Sequence, residues 1–362
     1  MINHKITCSA TEENTIIGIQ KLLYHSLKKY LKLIKSFFKN PRSQLLKTIF
    51  NLTINELNTF LMQPTYRILE RKKLYQKTNY ESLKSKFIVF YNNLRKYDIH
   101  KFTTPSWNEY NNEIEPSFLP FPSFSFLNDP VIRSTMFVSS KVKWIREELK
   151  FIESNFSANK LRYLLLEDYI GMPELSNLRY STSNTTIHHL YSISRFLHIT
   201  KCDLNEISTI IEWGGGYGNM AKILLRMIKK KITYIIIDTP LFSCIQWLYL
   251  ASIYGSHSIN LIQNSNDKIE PLKINLLPIC FIESYDVRAN LFISTWALSE
   301  SSKSSQEFVV KSKWFNSEHI LLAYQVSNPA FPDAGRIETL AKDSDLIIER
   351  IHHTPGNSYA MK

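Results

Sequence analysis

The sequence predicts an α/β fold built on a mainly parallel sheet, with a helical region in front of it. Three observations carry this prediction. Two apolar strands flank a glycine-rich turn and an amphipathic helix between residues 209 and 238. Further short apolar runs alternate with helical stretches up to residue 341. A strand, a Thr-Pro-Gly-Asn turn and a final strand then close the chain, which predicts a C-terminal antiparallel hairpin.

The sequence predicts that the front of the chain is helical, and its composition is basic. Residues 1–130 hold 19 Lys and Arg against 10 Asp and Glu, within a net charge of +12 for the whole chain. Apolar residues recur at helical spacing from Ile16 to Phe37, among lysines and without an acid, which predicts a basic amphipathic helix ending at Asn40. Two interpretations stay open: attachment to an anionic membrane surface, and packing with the lysines in solvent. No recognition motif accompanies the charge, so we expect no nucleic-acid partner.

The next part of the chain predicts further helices over residues 45–97, 142–156 and 159–170. Between them, residues 101–130 contain five prolines among many aromatic residues, which predicts an ordered loop or domain junction. The aromatic side chains there serve either as packing or as a platform for a sugar ring.

Three regions follow from these patterns. Residues 1–130 form a basic, mainly helical region, and residues 131–200 form a helical connector that lies over the ligand site. Residues 201–362 form the sheet domain.

Residues 181–199 predict a helix capped by Ser183 or Asn184. Its apolar face leaves His188 to one side and places His189 nearer the core. Because this helix leads into the first strand, we expect its beginning to fold over the glycine turn. A histidine there is suited to take a proton from a hydroxyl. The alternative is one exposed and one core histidine without a catalytic role.

The segment from residue 209 to residue 238 predicts half of a Rossmann-like nucleotide-binding unit. Glycines let the backbone turn tightly and approach a ligand. An acid at the tip of the second strand, about 20 residues further on, can accept both ribose hydroxyls. The predicted cofactor-binding residues in this segment are Glu212, Gly214, Gly215, Gly216, Tyr217, Gly218 and Asp238.

The glycine spacing favours S-adenosylmethionine (SAM) over a dinucleotide. The dinucleotide pattern G-x-G-x-x-G, started at Gly214, would require Gly or Ala at Asn219. Glu212 stands just before the turn, where it would repel a pyrophosphate but would suit an ammonium or sulfonium group. A glycine-rich turn without a ligand is the alternative.

After Asp238 the pattern predicts a helix to Tyr254 and strands over residues 259–262, 289–295 and 319–324. The carboxyl ends of parallel strands line one crevice. We therefore expect Thr295 and Trp296 to face the cofactor or the substrate. Glu300 lies close behind them in the sequence and is a second candidate for the catalytic base, or caps the helix that follows.

Cysteine usage and hydropathy predict a cytoplasmic protein. The four cysteines are scattered, without a C-x-x-C pair and without metal-ligand spacing, which predicts reduced thiols and no metal site. The first residues lack an apolar signal segment. The most apolar stretch, residues 241–254, is shorter than the ~20 residues that a membrane span needs.

The runs IIEWGGGYGNMAKIL, YIIIDTPLFSCIQWLYL and LFISTWALSESS resemble the family of sugar O-methyltransferases. SNTTIHHLY and PGNSYAMK fit this family too, so the resemblance covers residues 171–362. It implies a class I SAM-dependent methyltransferase fold and methyl transfer to a hydroxyl of a sugar or glycan precursor in polysaccharide biosynthesis. The glycine turn and Asp238 match the family's cofactor residues. Related members often have a methionine after the acid that matches Glu300, where this chain has Ser301.

The reaction that we expect is an in-line displacement. Because the methyl group of SAM is already activated, the protein mainly aligns the acceptor oxygen, which can be worth ~7–11 kcal/mol. A positioned base adds ~10²–10⁴-fold; we predict His188 or His189, with Glu300 as the alternative, and no metal ion. Two other functions stay open: methylation of a non-sugar metabolite, and a non-catalytic module that docks on a glycan assembly.

Overall fold

The computed structural model describes residues 72–139, 141–177 and 179–362. The basic helix predicted for residues 16–40 lies outside these residues, so its contact with a membrane stays a prediction. The chain divides into two compact units, Met1–Tyr75 and Gln76–Lys362. The sheet and the candidate site belong to the second unit.

Helices precede the sheet in the second unit. They are α1, whose part in this unit covers residues 76–94, α2 (Pro105–Ile114), α3 (Pro130–Met136), α4 (Ile145–Asn155), α5 (Ala158–Leu165) and α6 (Asn184–Thr200). The capping prediction for α6 is confirmed, because the Ser183 side chain accepts a hydrogen bond from the Thr186 amide.

The prediction of a loop over residues 101–130 was wrong in part, since this stretch contains α2. Pro105 occupies the first helical position, and the Thr104 side chain caps the helix by accepting from the Trp107 amide. Phe118 and Phe126 are buried in the core, as the packing interpretation predicts, whereas Trp107 lies at a cavity.

The sheet has eight strands in the order β3-β4-β2-β1-β5-β6-β8-β7. Strands β1 to β6 run parallel, and β8 is antiparallel to both of its neighbours. This is a Rossmann-like α/β sheet, parallel with a C-terminal antiparallel hairpin and preceded by helices, so the predicted fold class is confirmed. The strands are β1 (Thr209–Trp213), β2 (Thr233–Asp238), β3 (Ile259–Leu261), β4 (Ile274–Pro278), β5 (Leu291–Thr295), β6 (His319–Gln325), β7 (Ile347–Arg350) and β8 (Asn357–Met361).

Helices and turns connect the strands on both faces of the sheet. They are α7 (Asn219–Met227), α8 (Pro240–Tyr254), α9 (Ala297–Glu300), α10 (Lys303–Lys311), a left-handed helical turn over Lys313–Asn316, and α11 (Arg336–Asp343).

Strand β4 was missed in the sequence. It lies between β2 and β3, and all five of its residues are buried. Such a central parallel strand is apolar at nearly every position and lacks the alternation that marks a half-buried strand. The predicted strand at residues 259–262 exists as β3, which is short and lies at the edge of the sheet.

The strand order creates a crevice at the carboxyl ends of the parallel strands. From β1 the chain passes to β2 on one side, whereas β5 pairs with β1 on the other side. Ligands bind where the strand order reverses in this way, outside the carboxyl ends of the strands. The glycine turn after β1, Asp238 at the end of β2 and Thr295 at the end of β5 therefore meet at this edge.

Candidate active site

The glycine turn between β1 and α7 packs tightly on the sheet on one side and faces open space on the other. Gly214 has φ +74°, and a Cβ there would lie 2.0 Å from the Cβ of Ala297. Gly216 has φ +54°, but a Cβ there would meet only the Sδ of Met136, at 3.7 Å. Gly214 is therefore required for packing, whereas the backbone of Gly216 borders a cavity.

A cavity of about 380 Å³ lies at this edge of the sheet, within the size range of small-molecule sites. It brings together nearly all of the predicted site residues. Those that line it are Glu212, Gly214, Gly215, Gly216, Tyr217, Asp238, Thr295, Trp296, His188, His189 and Glu300. Gly218 does not line the cavity and instead precedes α7 with φ +96°.

The Asp238 carboxylate ties the end of β2 to the glycine turn. Its Oδ2 accepts from the Gly215 amide at 2.9 Å and from Nε2 of Gln246 at 2.8 Å, and its Oδ1 accepts from the Thr239 amide. Burial raises the pKa of Asp238 to about 7. Gln246 was not predicted as a site residue, although a glutamine inside the apolar α8 is a usable signal.

Glu212 lies beneath the turn, near the end of β1. The Tyr234 hydroxyl donates to its Oε2 at 2.8 Å. Burial raises the pKa of Glu212 to about 8, and the charge of Asp238 adds to the shift. The Glu212 and Asp238 carboxyls are both buried, and their negative charges repel each other. A nearby cation would stabilise their ionised forms, so this end of the cavity favours a positively charged ligand.

His188 forms a buried pair with Glu148 of α4. Its Nδ1 lies 2.7 Å from Oε1 of Glu148, which leaves Nε2 to accept a proton. The His188 ring lies between Trp144 and Trp296, with ring centroids at 5.2 and 4.8 Å. Nε2 of His353 also contacts Oε1 of Glu148, at 2.9 Å. A carboxylate on Nδ1 fixes the tautomer and stabilises the imidazolium that forms when Nε2 takes a proton.

His189 has a different environment, although it lines the same cavity. Its Nδ1 contacts Nδ2 of Asn219 at 3.0 Å. Burial lowers the pKa of His189 to about 3, and the charges of His188 and Lys222 lower it further. His189 therefore stays neutral and is a poor proton acceptor near neutral pH. The alternative of one exposed and one core histidine does not describe this helix, because both rings border the cavity.

Glu300, at the end of α9, borders the cavity as a half-buried acid. Its Oε2 accepts from the Trp107 indole at 3.2 Å, and its Oε1 accepts from the Gln325 amide group at 2.9 Å. Burial raises the pKa of Glu300 to about 7. Both carboxyl oxygens thus accept from neutral donors. Near neutral pH the Glu300 carboxyl can either hold or accept a proton.

Trp296 follows β5 in a strained backbone conformation, with φ +64° and ψ −36°. Its amide donates to the Ala323 carbonyl, and its indole Nε1 donates to Oδ1 of Asn357 at 2.7 Å. These bonds hold the ring against His188. Trp296 therefore links the end of β5 to β6 and to the first residue of β8.

The structure adds residues that the sequence interpretation did not include. Glu148, His353 and Trp144 surround His188, and the cavity is also lined by Thr354 from the turn between β7 and β8 and by Asn357 at the start of β8. Only Glu148 leaves a signal in the sequence. It falls in register with Ile145 and Ile152 on the inward face of α4, and an acid at such a position needs a buried partner.

Across residues 72–139, 141–177 and 179–362, no cluster of three or more His, Cys, Asp or Glu could hold a metal ion. Within the same residues, no helix combines the length and apolar character needed to span a membrane.

Comparisons with known proteins concern the fold alone. No family model matches the sequence, and no curated protein matches it. Solved methyltransferase structures do match. The crystal structure of LaPhzM has a TM-score of 0.32 at 14% identity, covering 49% of this chain and 57% of that one. The structure of the mitomycin 7-O-methyltransferase MmcR has a TM-score of 0.34 at 10% identity, and the match covers 71% of this chain and 66% of that one. This chain thus spans less than two thirds of either relative.

A third match contains the cofactor that the sequence predicts for this chain. It is the Aeropyrum pernix fibrillarin in complex with natively bound SAM, with a TM-score of 0.32 and 11% identity over 48% of this chain and 73% of that one. The identities and TM-scores of all three matches are low. Nothing about the substrate of this chain follows from them.

Proposed function

We propose that this protein is a SAM-dependent O-methyltransferase that transfers a methyl group to a hydroxyl of a sugar or glycan precursor. One observation carries the proposal. A single cavity joins the acid-flanked glycine turn to the paired His188 and Glu148. The residues proposed to hold the methyl donor and the proposed proton acceptor thus border one cavity.

The donor end suits a positively charged nucleoside. The residues that would hold SAM are Gly216, whose backbone borders the cavity, Asp238 at the ribose, and Glu212 beneath the turn. None of the described residues that line the cavity is Lys or Arg, so its charge favours a cation over a pyrophosphate. When bound, SAM supplies a methyl group that is already activated for transfer.

The chain's own residues contribute alignment and proton removal. His188 accepts the hydroxyl proton of the acceptor on Nε2, and Glu148 holds the ring through Nδ1 and stabilises its positive charge. Glu300 is the alternative base, because its pKa of about 7 matches neutral pH. His189 is not assigned this role, since its pKa of about 3 leaves little driving force for proton transfer.

The acceptor end suits a ring that carries hydroxyl groups. Indole rings of Trp107, Trp144 and Trp296 line it, together with the neutral polar side chains of Thr103 and Asn357. Aromatic faces with a few placed polar groups are typical of small-molecule sites. The resemblance to sugar O-methyltransferases adds the sugar as the preferred ring. We place the activity in the cytoplasm, where the free cysteines of the described residues would stay reduced.

Binding and transfer test the proposal separately. Calorimetry should show that the protein binds SAM and S-adenosylhomocysteine (SAH), and that Gly216→Val abolishes this binding by placing a branched side chain in the cavity. Gly356→Val is the matched control, since Gly356 also has a left-handed backbone but a Cβ there meets nothing within 4 Å. Transfer of labelled methyl groups from SAM to a sugar panel then tests the reaction. Failure of the wild-type protein to bind either nucleoside would refute the proposal.

A further inference from the structure

The acceptor end of the cavity carries a charge pattern that restricts its ligand. Among the described residues that line the cavity, the Asp, Glu, His, Lys and Arg side chains are Glu212, Asp238, Glu300, His188 and His189. All are acids or histidines. Glu148 adds a further carboxylate directly behind His188. Glu212 and Asp238 belong to the donor end, so an anionic acceptor would meet Glu300, the two histidines and the Glu148 carboxylate, and no lysine or arginine among the described residues of this lining.

Lys222, the one buried lysine or arginine among the described residues, is already paired and does not border the cavity. Nζ of Lys222 lies 2.7 Å from Oε2 of Glu167, which is itself buried. Lys141 and Lys143 alternate with the cavity-lining Val142 and Trp144, but both lysines are exposed and lie outside the lining. A phosphate at the acceptor end would lose water without gaining a lysine or arginine partner from the described lining, which disfavours its binding.

Neutral hydrogen-bonding groups are available instead. The Thr354 hydroxyl is buried and has no hydrogen-bond partner among the described residues, although Thr354 lines the cavity. Such a group is costly unless a ligand or water satisfies it. Asn357, the next lining residue and the first of β8, holds the Trp296 indole beside His188. Aromatic faces and the Thr354 hydroxyl are therefore available to an acceptor.

We propose that the acceptor is an uncharged hydroxylated ring that carries no phosphate, because the cavity lining presents carboxylates, indoles and the unpaired Thr354 hydroxyl. This inference rests on the proposed function and narrows its substrate class. It excludes nucleoside-diphosphate sugars and sugar phosphates as preferred acceptors. The class of reaction that supplies the acceptor is then one that removes the phosphate first, such as glycosyl transfer from an activated sugar.

Matched acceptor pairs test this inference. Methyl glycosides of glucose, galactose, mannose and rhamnose are compared with the same sugars as 1-phosphates and as nucleoside-diphosphate sugars. The readouts are kcat/KM for methyl transfer and calorimetric binding to the SAH-loaded protein. We expect each accepted glycoside to exceed its phosphorylated partners by at least about tenfold in both readouts. A phosphorylated member that binds or reacts better than its glycoside would overturn the inference and leave the O-methyltransferase proposal standing.

Two variants and one further acceptor sharpen the result. Val142→Arg places a cation in the lining and should raise the activity on the phosphorylated members relative to the glycosides, whereas Lys141→Gln should leave this ratio unchanged. Thr354→Val should raise KM for the glycosides, and Thr354→Ser should retain it. If catechol is methylated and no sugar is, the inference of an uncharged acceptor stands, and the proposal that the acceptor is a sugar is refuted. If no acceptor of the panel, phosphorylated or uncharged, binds the SAH-loaded protein or is methylated, both proposals fail.

Discussion

Replacing Glu148 by Gln tests the proposed base most directly. The change keeps the shape of the side chain but removes its charge. In the wild-type protein, His188 Nδ1 lies 2.7 Å from the Glu148 carboxylate, which fixes the proton on Nδ1. The amide group of Gln can donate to Nδ1 instead, which would place the proton on Nε2 and block it as the acceptor.

The expected loss is that of a general base. Its removal lowers kcat by ~10²–10⁴-fold, which corresponds to about 2.7 to 5.4 kcal/mol of transition-state stabilisation. KM should change little, because Glu148 contacts His188 and His353 and does not itself line the cavity. SAH affinity, measured by calorimetry, should likewise remain close to that of the wild-type protein.

Two controls separate catalysis from folding. Glu147→Gln changes the neighbouring acid of the same helix, which is exposed, and should leave kcat unaltered. Glu148→Asp keeps the charge and should recover part of the lost rate. A Glu148→Gln protein that is folded, binds SAH and retains kcat within about threefold of wild type would refute the assignment of His188 as the base.

Three further predictions concern the site and its support. His188→Gln should lower kcat by ~10²–10⁴-fold, whereas His189→Gln should lower it less, because His189 is held neutral by a pKa of about 3; steady-state kinetics of both variants compare them. The pKa of Asp238 is about 7 in the protein against 3.8 for the free acid, so the folded state holds this proton to a higher pH than the unfolded state. The free energy of unfolding of the unliganded protein should therefore fall as pH rises from about 3.8 to about 7. The ionised carboxylates of Glu212 and Asp238 both attract a cation, so SAM affinity should fall as pH drops through about 8 and then about 7, by more than the affinity of SAH, which lacks the sulfonium charge. Lys222→Met should lower the free energy of unfolding by about 3–5 kcal/mol, because it leaves Glu167 buried without its partner; urea denaturation measures this loss.

Each of these predictions has an outcome that contradicts it. Equal losses of kcat in the two histidine variants would remove the distinction drawn from their environments. SAM and SAH affinities that vary together with pH would show that the Asp238 carboxylate does not sense the sulfonium. The combined variant Lys222→Met with Glu167→Gln should recover stability relative to Lys222→Met, because it removes the unpaired charge; no recovery would contradict the role of that pair.

Local chemistry made the centre of the fold predictable. The turn after β1 requires glycine at Gly214, where a Cβ would collide with Ala297, so the pattern in the sequence reports backbone geometry directly. The amphipathic α7 and the Pro240 start of α8 are likewise fixed by residues close in sequence. Strand β4 was not predicted, because a strand that is buried on both faces shows no alternation of apolar and polar residues.

The two histidines show where local patterns stop. Their place at the start of α6, over the glycine turn, followed from the sequence, but their different roles did not. Glu148 lies 40 positions before His188, and His353 lies 205 positions after Glu148. Contacts over such separations depend on how the helices and the last hairpin pack around the sheet.

The amino-acid sequence by itself determined the strand–turn–helix–strand unit, the acids at its ends and the candidate site residues, because these depend on spacing and backbone freedom within a short stretch. Only the tertiary structure decided which histidine has a carboxylate partner and which is held neutral. It also decided that the cavity is lined by acids and indoles, without a lysine or arginine from the described residues. Burial and long-range partners set these properties, and neither is written in local sequence.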